Sequence, residues 1–142
     1  MAMVRHAPEA SVTPQMLPKV QGMVQHRSRQ RGMQEKVFLA WVIDLCHTWH
    51  WRTYHTYDSR RSNPGFPDLV AVRERRLIFA ELKSTHGRVT GEQNAWHEAL
   101  AQIPGIEVYL WYPQMATAIA ACLAPEAVRL QVQQQREVAQ VG

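Results

Sequence analysis

Between Phe38 and Trp49 apolar side chains return at Phe38, Val42, Leu45 and Trp49. That spacing draws one stripe along an amphipathic helix packed on a sheet. After Trp49 the rhythm shortens. Trp51 to Tyr57 alternates aromatics and Thr with Arg and His, which predicts the first strand of the sheet. Leu69–Val72 and Leu77–Ala80 are apolar runs bounded by Gly, Pro and charge, so they predict two short strands buried on both faces, joined by the turn Arg73-Glu74-Arg75-Arg76. The segment DSRRSNPGF before them is the strongest loop signal in the chain.

Beyond Lys83 the STHGRV segment predicts a loop, and Thr90-Gly91-Glu92-Gln93 matches a capping box with Thr90 as N-cap. The helix it opens carries Trp96, Leu100 and Ile103 as its apolar stripe and stops at Pro104-Gly105. Ile106 to Tyr112 is a β-rich run closed by Pro113, and Met115–Leu123 predicts a short Ala-rich helix. The order is α-β-β-β-α-β with a trailing helix. It predicts an α/β fold, a mixed sheet with helices on both faces, over residues 32–124. Residues 1–31, with Pro8, Pro14 and Pro18, read as an irregular leader, and residues 125–142 as a Gln-rich tail too poor in apolar residues for a core of its own.

Composition adds less. A chain of 142 residues with 46% hydrophobic content is one domain with a sizeable core. A formal charge of +4 favours a polyanionic partner without identifying one. The basic cluster His26, Arg27, Arg29 and Arg31 at the end of the leader is either a phosphate contact or a solvated tail. Cys46 and Cys122 lack framework spacing and read as reduced core residues, and no signal-peptide core or ~20-residue apolar span is present, so a soluble cytoplasmic protein is expected. Cys46 and His50 stand i, i+4 on the predicted helix, but nothing elsewhere supplies the remaining ligands of a Zn²⁺ site. No Walker A loop, GxGxxG or Gly-x-Ser-x-Gly occurs, which leaves nucleotide hydrolysis and acyl transfer unsupported.

The chemistry lies in Gly65–Lys83. If the turn is centred between Glu74 and Arg75, positions whose numbers sum to 149 face one another, and Asp68 opposes Glu81. Opposed residues of an antiparallel pair share a face, and Lys83 shares it by the two-residue period. Two carboxylates and one ammonium therefore converge; a turn one residue longer or shorter would separate them. Side-by-side carboxylates repel, and a divalent cation relieves them. Oxygen donors suit Mg²⁺, with Mn²⁺ as a substitute, better than Zn²⁺. Arg60 and Arg61, in the loop before Asp68, are candidate phosphate contacts.

Asp68, a dozen residues and then Glu81-Leu82-Lys83 resembles the signature of the PD-(D/E)xK nucleases. The flanking Gly65-Phe66-Pro67-Asp68-Leu69, Gly87-Arg88, Gln93 and Trp96 resemble the VRR-NUC branch over about residues 33–115. The resemblance implies a restriction-endonuclease-like fold and Mg²⁺-dependent hydrolysis of DNA phosphodiesters. Asp68, Glu81 and the Leu82 carbonyl would bind metal, Lys83 would serve the attacking water, and Glu35, one turn before Phe38 on the helical stripe, would be the first-helix acid beside the metal. A Glu in a first turn is also favoured by the helix dipole alone. Gln93 has two readings, a cap bonded to Thr90 or a group pointed into the site. Ser84 and Arg88 join Arg60 and Arg61 as candidate DNA contacts. Compact members of the branch further imply a homodimer acting on branched DNA such as Holliday junctions, in phage or repair processing. A non-catalytic DNA-binding module, a structure-selective nickase and a hydrolase of small phosphoesters are the alternatives.

Overall fold

The computed structural model describes residues 34–57 and 60–141. The leader 1–31 and its basic cluster lie outside them. Contacts divide the described residues into two compact units, the first running to Pro113 and the second from Gln114 onward.

In the first unit, helix α1 spans Glu35–Thr48 and buries Phe38, Val42, Leu45 and Cys46. The helix stops before Trp49, which is its C-cap and half-buried, so the predicted stripe loses its last member. His50 follows at φ 61, outside the helix, and therefore does not share a helical face with Cys46. Strand β1 is Arg52–His55, β2 Leu69–Arg73 and β3 Arg76–Leu82. Helix α2, Gly91–Ala101, then crosses to β4, Ile106–Trp111.

The sheet order is β1-β2-β3-β4. The first three strands pair antiparallel, and β4 joins β3 in parallel, which requires the crossover that α2 provides. This mixed sheet flanked by helices has the α-β-β-β-α-β order of a restriction-endonuclease-like fold. Helix α1 packs on β1 and β3, and α2 on β4. Strand β2 departs from expectation on one face: Leu69 and Ala71 are buried, Val70 is half-buried and Val72 is exposed, because β2 has a helix over only part of its second face.

The hairpin register is the one the site needs. Leu69 pairs with Ala80, Val70 with Phe79 and Arg73 with Arg76, so the turn holds only Glu74 and Arg75, and Glu74 takes a left-handed φ of 52 suited to a two-residue hairpin. At the far end of the sheet Arg76 clamps Glu107 on β4 with two bonds of 2.8 and 2.7 Å, and Tyr109 donates to the same carboxylate at 2.7 Å. Arg76 also lies 5.0 Å from the Trp51 ring centroid. Trp51 and Trp111, which sequence alone leaves without a place in the core, are both buried, Trp111 stacked on Tyr109.

In the second unit a 3₁₀ turn, Pro113–Met115, begins at the boundary and leads into helix α3, Ala116–Leu123. The Ala-rich helix is largely buried and presents no apolar patch. The Gln-rich segment is helical as α4, Glu126–Val141, with Val132 buried. Among the described residues no single helix is long and apolar enough to cross a membrane.

One glycine ties the loop before β2 to α2. Gly65 has φ +86, and a Cβ there would lie 2.4 Å from the backbone carbon of Glu92 in the first turn of α2. Neither the dihedral nor backbone atoms can yield cheaply. Gly65→Ala is expected to lower unfolding free energy by ~2 kcal/mol or more, read as a shift of the urea midpoint at unchanged slope; Gly91→Ala, where a Cβ meets nothing within 4 Å, is the control and should leave the midpoint in place.

Candidate active site

Asp68 is the residue immediately before β2, opposite Glu81 in the extended register. The backbone N–H of Leu82 donates to Asp68 Oδ2 at 2.9 Å, which fixes the carboxylate against β3. Glu81 is 1% exposed, among the most buried side chains in the chain. A carboxylate in such a place needs partners. Lys83 Nζ lies 3.3 Å from Glu81 Oε1, and Gln93 Nε2 donates to that same oxygen in a short hydrogen bond. Glu81 Oε2 is buried and has no hydrogen-bond partner in the protein.

Gln93 is part of the cap of α2 and also reaches Glu81. Its Oε1 accepts from Thr90 N–H at 2.9 Å while Thr90 Oγ1 accepts from Gln93 N–H at 3.3 Å, the capping box of α2. The other end of the same amide reaches Glu81. An edge-on aromatic set holds α2 in place for this: Phe66 meets Trp96 at 5.0 Å and Phe79 at 6.0 Å between centroids. Phe79 and Glu81 share a face of β3, so the packing that seats Trp96 on that face also delivers Gln93 to Glu81.

Burial and crowding shift both acids. The Glu81 carboxyl is pushed up to about 7, by burial first and by the Asp68 charge second, with the Lys83 ammonium opposing both. Burial likewise raises the Asp68 carboxyl, against the Leu82 N–H and Lys83, which hold it down, while the Glu35 charge adds to the rise. Two adjoining carboxyls, both raised chiefly by burial and Glu81 further by the Asp68 charge, form a donor set suited to a hard cation. Among the described residues no cluster of three or more His, Cys, Asp or Glu side chains is placed to hold a metal ion. Asp68, Glu81 and the Leu82 backbone are therefore the residues available to one, with Glu35 farther out.

A cleft of about 430 Å³ opens on this site, with Glu35, Asp68, Leu82 and Gln93 in its wall. Glu81 and Lys83 lie behind that wall. Glu35, exposed at the start of α1, has Oε1 3.5 Å from the backbone N–H of Ser84. Arg60, Arg61 and Arg88 are exposed on loops and are not part of the cleft wall, whereas Ser84 is half-buried beside Glu35. The structure thus brings Asp68, Glu81, Lys83, Leu82 and Gln93 together, sets Glu35 at the rim and leaves the three arginines out of the cleft wall. Two features escape the sequence reading: the Leu82 N–H as the anchor of Asp68, and the Leu39–Ile43 face of α1 as a cleft wall. The second had a signal, since Leu39 and Ile43 form an i, i+4 apolar pair beside the main stripe.

The VRR-NUC domain model matches residues 21–114. No curated protein and no solved structure matches the chain.

The raised Glu81 carboxyl has a consequence for stability in the absence of metal. Its folded pKa lies above the unfolded value, so the neutral acid favours the folded state; this contribution is complete below pH ~4.5 and is lost as pH rises through about 7. His97, buried and shifted down by burial, acts with the opposite sign at lower pH. The pH dependence of the difference between wild type and Glu81→Gln isolates the acid. In EDTA, the Tm of Glu81→Gln relative to wild type should rise between pH 5 and 8; a flat difference would show that Glu81 ionises normally.

Proposed function

We propose that this chain, which belongs to the VRR-NUC family of nuclease domains, hydrolyses DNA phosphodiester bonds with Mg²⁺ held by Asp68 and Glu81. The observation that carries the reading is the buried, unpartnered Glu81 Oε2 on a carboxylate facing Asp68, with Lys83 alongside. A binding module has no use for paired acids where phosphates must approach. Small phosphoesters would not call for Arg60, Arg61 and Arg88 on the surrounding loops.

When bound, Mg²⁺ supplies a Lewis acid that neutralises charge on the scissile phosphate. The chain's own groups do the rest. Leu82 N–H holds Asp68 in one orientation, and Gln93 and Lys83 share one oxygen of Glu81, leaving the other as ligand. The Leu82 carbonyl would be a further ligand. Lys83 orients the attacking water and stabilises the negative charge that grows on the phosphate oxygens as the water oxygen bonds to phosphorus and the P–O bond to the leaving strand breaks. Glu35, at the rim, supports the ion or its water.

The substrate in this proposal is branched DNA such as a Holliday junction, and the active form is a homodimer. One chain carries one site and cuts one bond per visit, whereas resolving a junction takes two cuts, which a two-fold axis supplies without new sequence. Trp51, Trp111 and the Ala-rich helix are buried and Trp49 is half-buried, so these apolar residues supply no interface patch. The dimer therefore rests on the two-cut requirement.

Asp68→Asn, Glu81→Gln and Lys83→Ala are each expected to reduce Mg²⁺-dependent cleavage by ~10²–10³ or more while keeping the circular dichroism of the wild type; near-wild-type cutting by folded Asp68→Asn would overturn the assignment. Glu35→Gln should lower activity or Mg²⁺ affinity with little change in Tm. A panel of duplex, flap, four-way junction and single-stranded DNA, cut in parallel with light scattering at micromolar protein, tests substrate and assembly together. Paired symmetric cuts on the junction by a dimer are expected. A monomer that nicks one strand would replace this reading with a structure-selective nickase, and binding without cutting on every substrate would replace it with a non-catalytic module.

A further inference from the structure

The cleft beside Asp68 has two kinds of wall. At one end stand Asp68, Leu82 and Gln93, the groups around the paired acids. Elsewhere its wall is the Leu39, Ala40 and Ile43 face of α1, together with His55, the last residue of β1, and Tyr57 just after it. Leu39 and Ile43 are half-buried and Ala40 is exposed, so this side of α1 is not closed over by the core that takes Phe38 and Val42. Tyr57 is 90% exposed, yet its ring is held against His55 with centroids 4.3 Å apart. Single exposed aromatics are ordinary. An aromatic pair on the rim of an apolar cleft that runs into a phosphate-cutting site is a different matter.

The wall holds a cation, Lys36, which can take a phosphate, but its Leu39, Ala40, Ile43 and Phe66 surface has no use for the phosphodiester backbone, which seeks Lys, Arg and N–H groups. What joins a phosphate covalently and carries a flat apolar face is a nucleobase. A base inside a duplex is stacked on both sides and cannot enter, whereas an unpaired one offers its faces to aromatic side chains. The volume of about 430 Å³ lies in the range of clefts that enclose a small ligand. Thr56 and Asn63 on the same wall carry groups of the kind that hydrogen-bond base edges.

We propose that this cleft seats the base of an unpaired nucleotide adjoining the scissile phosphate, with Tyr57 stacking on the base and the Leu39–Ile43 face beneath it. The proposal rests on the nuclease reading above and narrows it: the strand is cut where pairing is interrupted. Flaps and gapped strands meet that condition, a four-way junction meets it where a base at its centre is opened, and a continuous blunt duplex does not.

The test uses the full chain, Mg²⁺ and a duplex interrupted by a short unpaired stretch, with 2-aminopurine placed at each unpaired position in turn. Stopped-flow fluorescence on mixing is followed before product forms, and cleavage is read in the same samples. One position should be quenched. Tyr57→Ala, and Ala40→Trp, which fills the cleft from an exposed position, should abolish that quench and weaken binding of the interrupted DNA about tenfold, with Tm and blunt-duplex affinity unchanged. Wild type should show the same weakening when the base at that position is replaced by an abasic analogue. Equal affinity for abasic and base-bearing DNA, with fluorescence constant at every position, would overturn the proposal. Cleavage without quench keeps the nuclease reading and rejects the base cleft; quench without cleavage keeps the base cleft and rejects the nuclease reading.

Discussion

The ladder between β2 and β3 sets Glu81 opposite Asp68, and every other group of the site is placed by reference to that pair. With Arg73 paired to Arg76, the register leaves no freedom in which residues share a face. Leu82 N–H, one residue on from Glu81, is left free of the ladder to bind Asp68 Oδ2. Lys83 then reaches back to Glu81 on the same face. Opposing two carboxyls in a buried place is unfavourable for folding, and the rise of the Glu81 carboxyl to about 7 is the expression of that conflict. A protein that kept this arrangement for packing alone would be more stable with an amide or an apolar side chain there.

Gln93 couples the conflict to the rest of the fold. Its planar amide closes the capping box of α2 with one end and binds Glu81 with the other. The helix therefore begins where the site needs it to begin. Phe66, set between Trp96 and Phe79, and Gly65, pressed on the backbone of Glu92, hold the loop before Asp68 against the same first turns. Loop, helix and strand thus meet at a single corner, and a displacement of any one moves a carboxylate or its partner. That is why a glycine with no chemistry of its own belongs to the structural support of the site.

Much of this was legible in sequence for reasons that can be named. The hairpin was readable because its turn is short and charged between apolar runs, so the register followed from symmetry about Glu74 and Arg75. The capping box was readable because Thr90 and Gln93 are local to each other. Three things were not. The end of α1 before Trp49 depends on His50 taking a left-handed φ, which no apolar period announces. The burial of Trp51 and Trp111 depends on neighbours distant in sequence, Arg76 over one ring and Tyr109 against the other. The second bond of Gln93 was undecidable because it is set by Trp96 and Phe66, which orient the whole helix; a local motif specifies a local bond and leaves the long-range one to packing.

The same limit explains the cleft. A helix with apolar residues on more than one stripe reads from sequence as a buried helix, and Leu39 and Ile43 next to Phe38 and Val42 fit that expectation. In the fold, the first stripe is taken by the core, and the second remains partly open beside Asp68. Closing it with one more large side chain would be the ordinary way to gain stability, at roughly 25 cal/mol per Å² of apolar surface. Ala40, exposed at its edge, is where that side chain would stand, and its smallness keeps the passage to the acids open. Unfilled apolar surface and unrelieved like charge therefore occur within one corner of a fold that is well packed elsewhere, and a ligand with a flat apolar part joined to an anionic part that a cation can bridge is the kind of molecule that would relieve both.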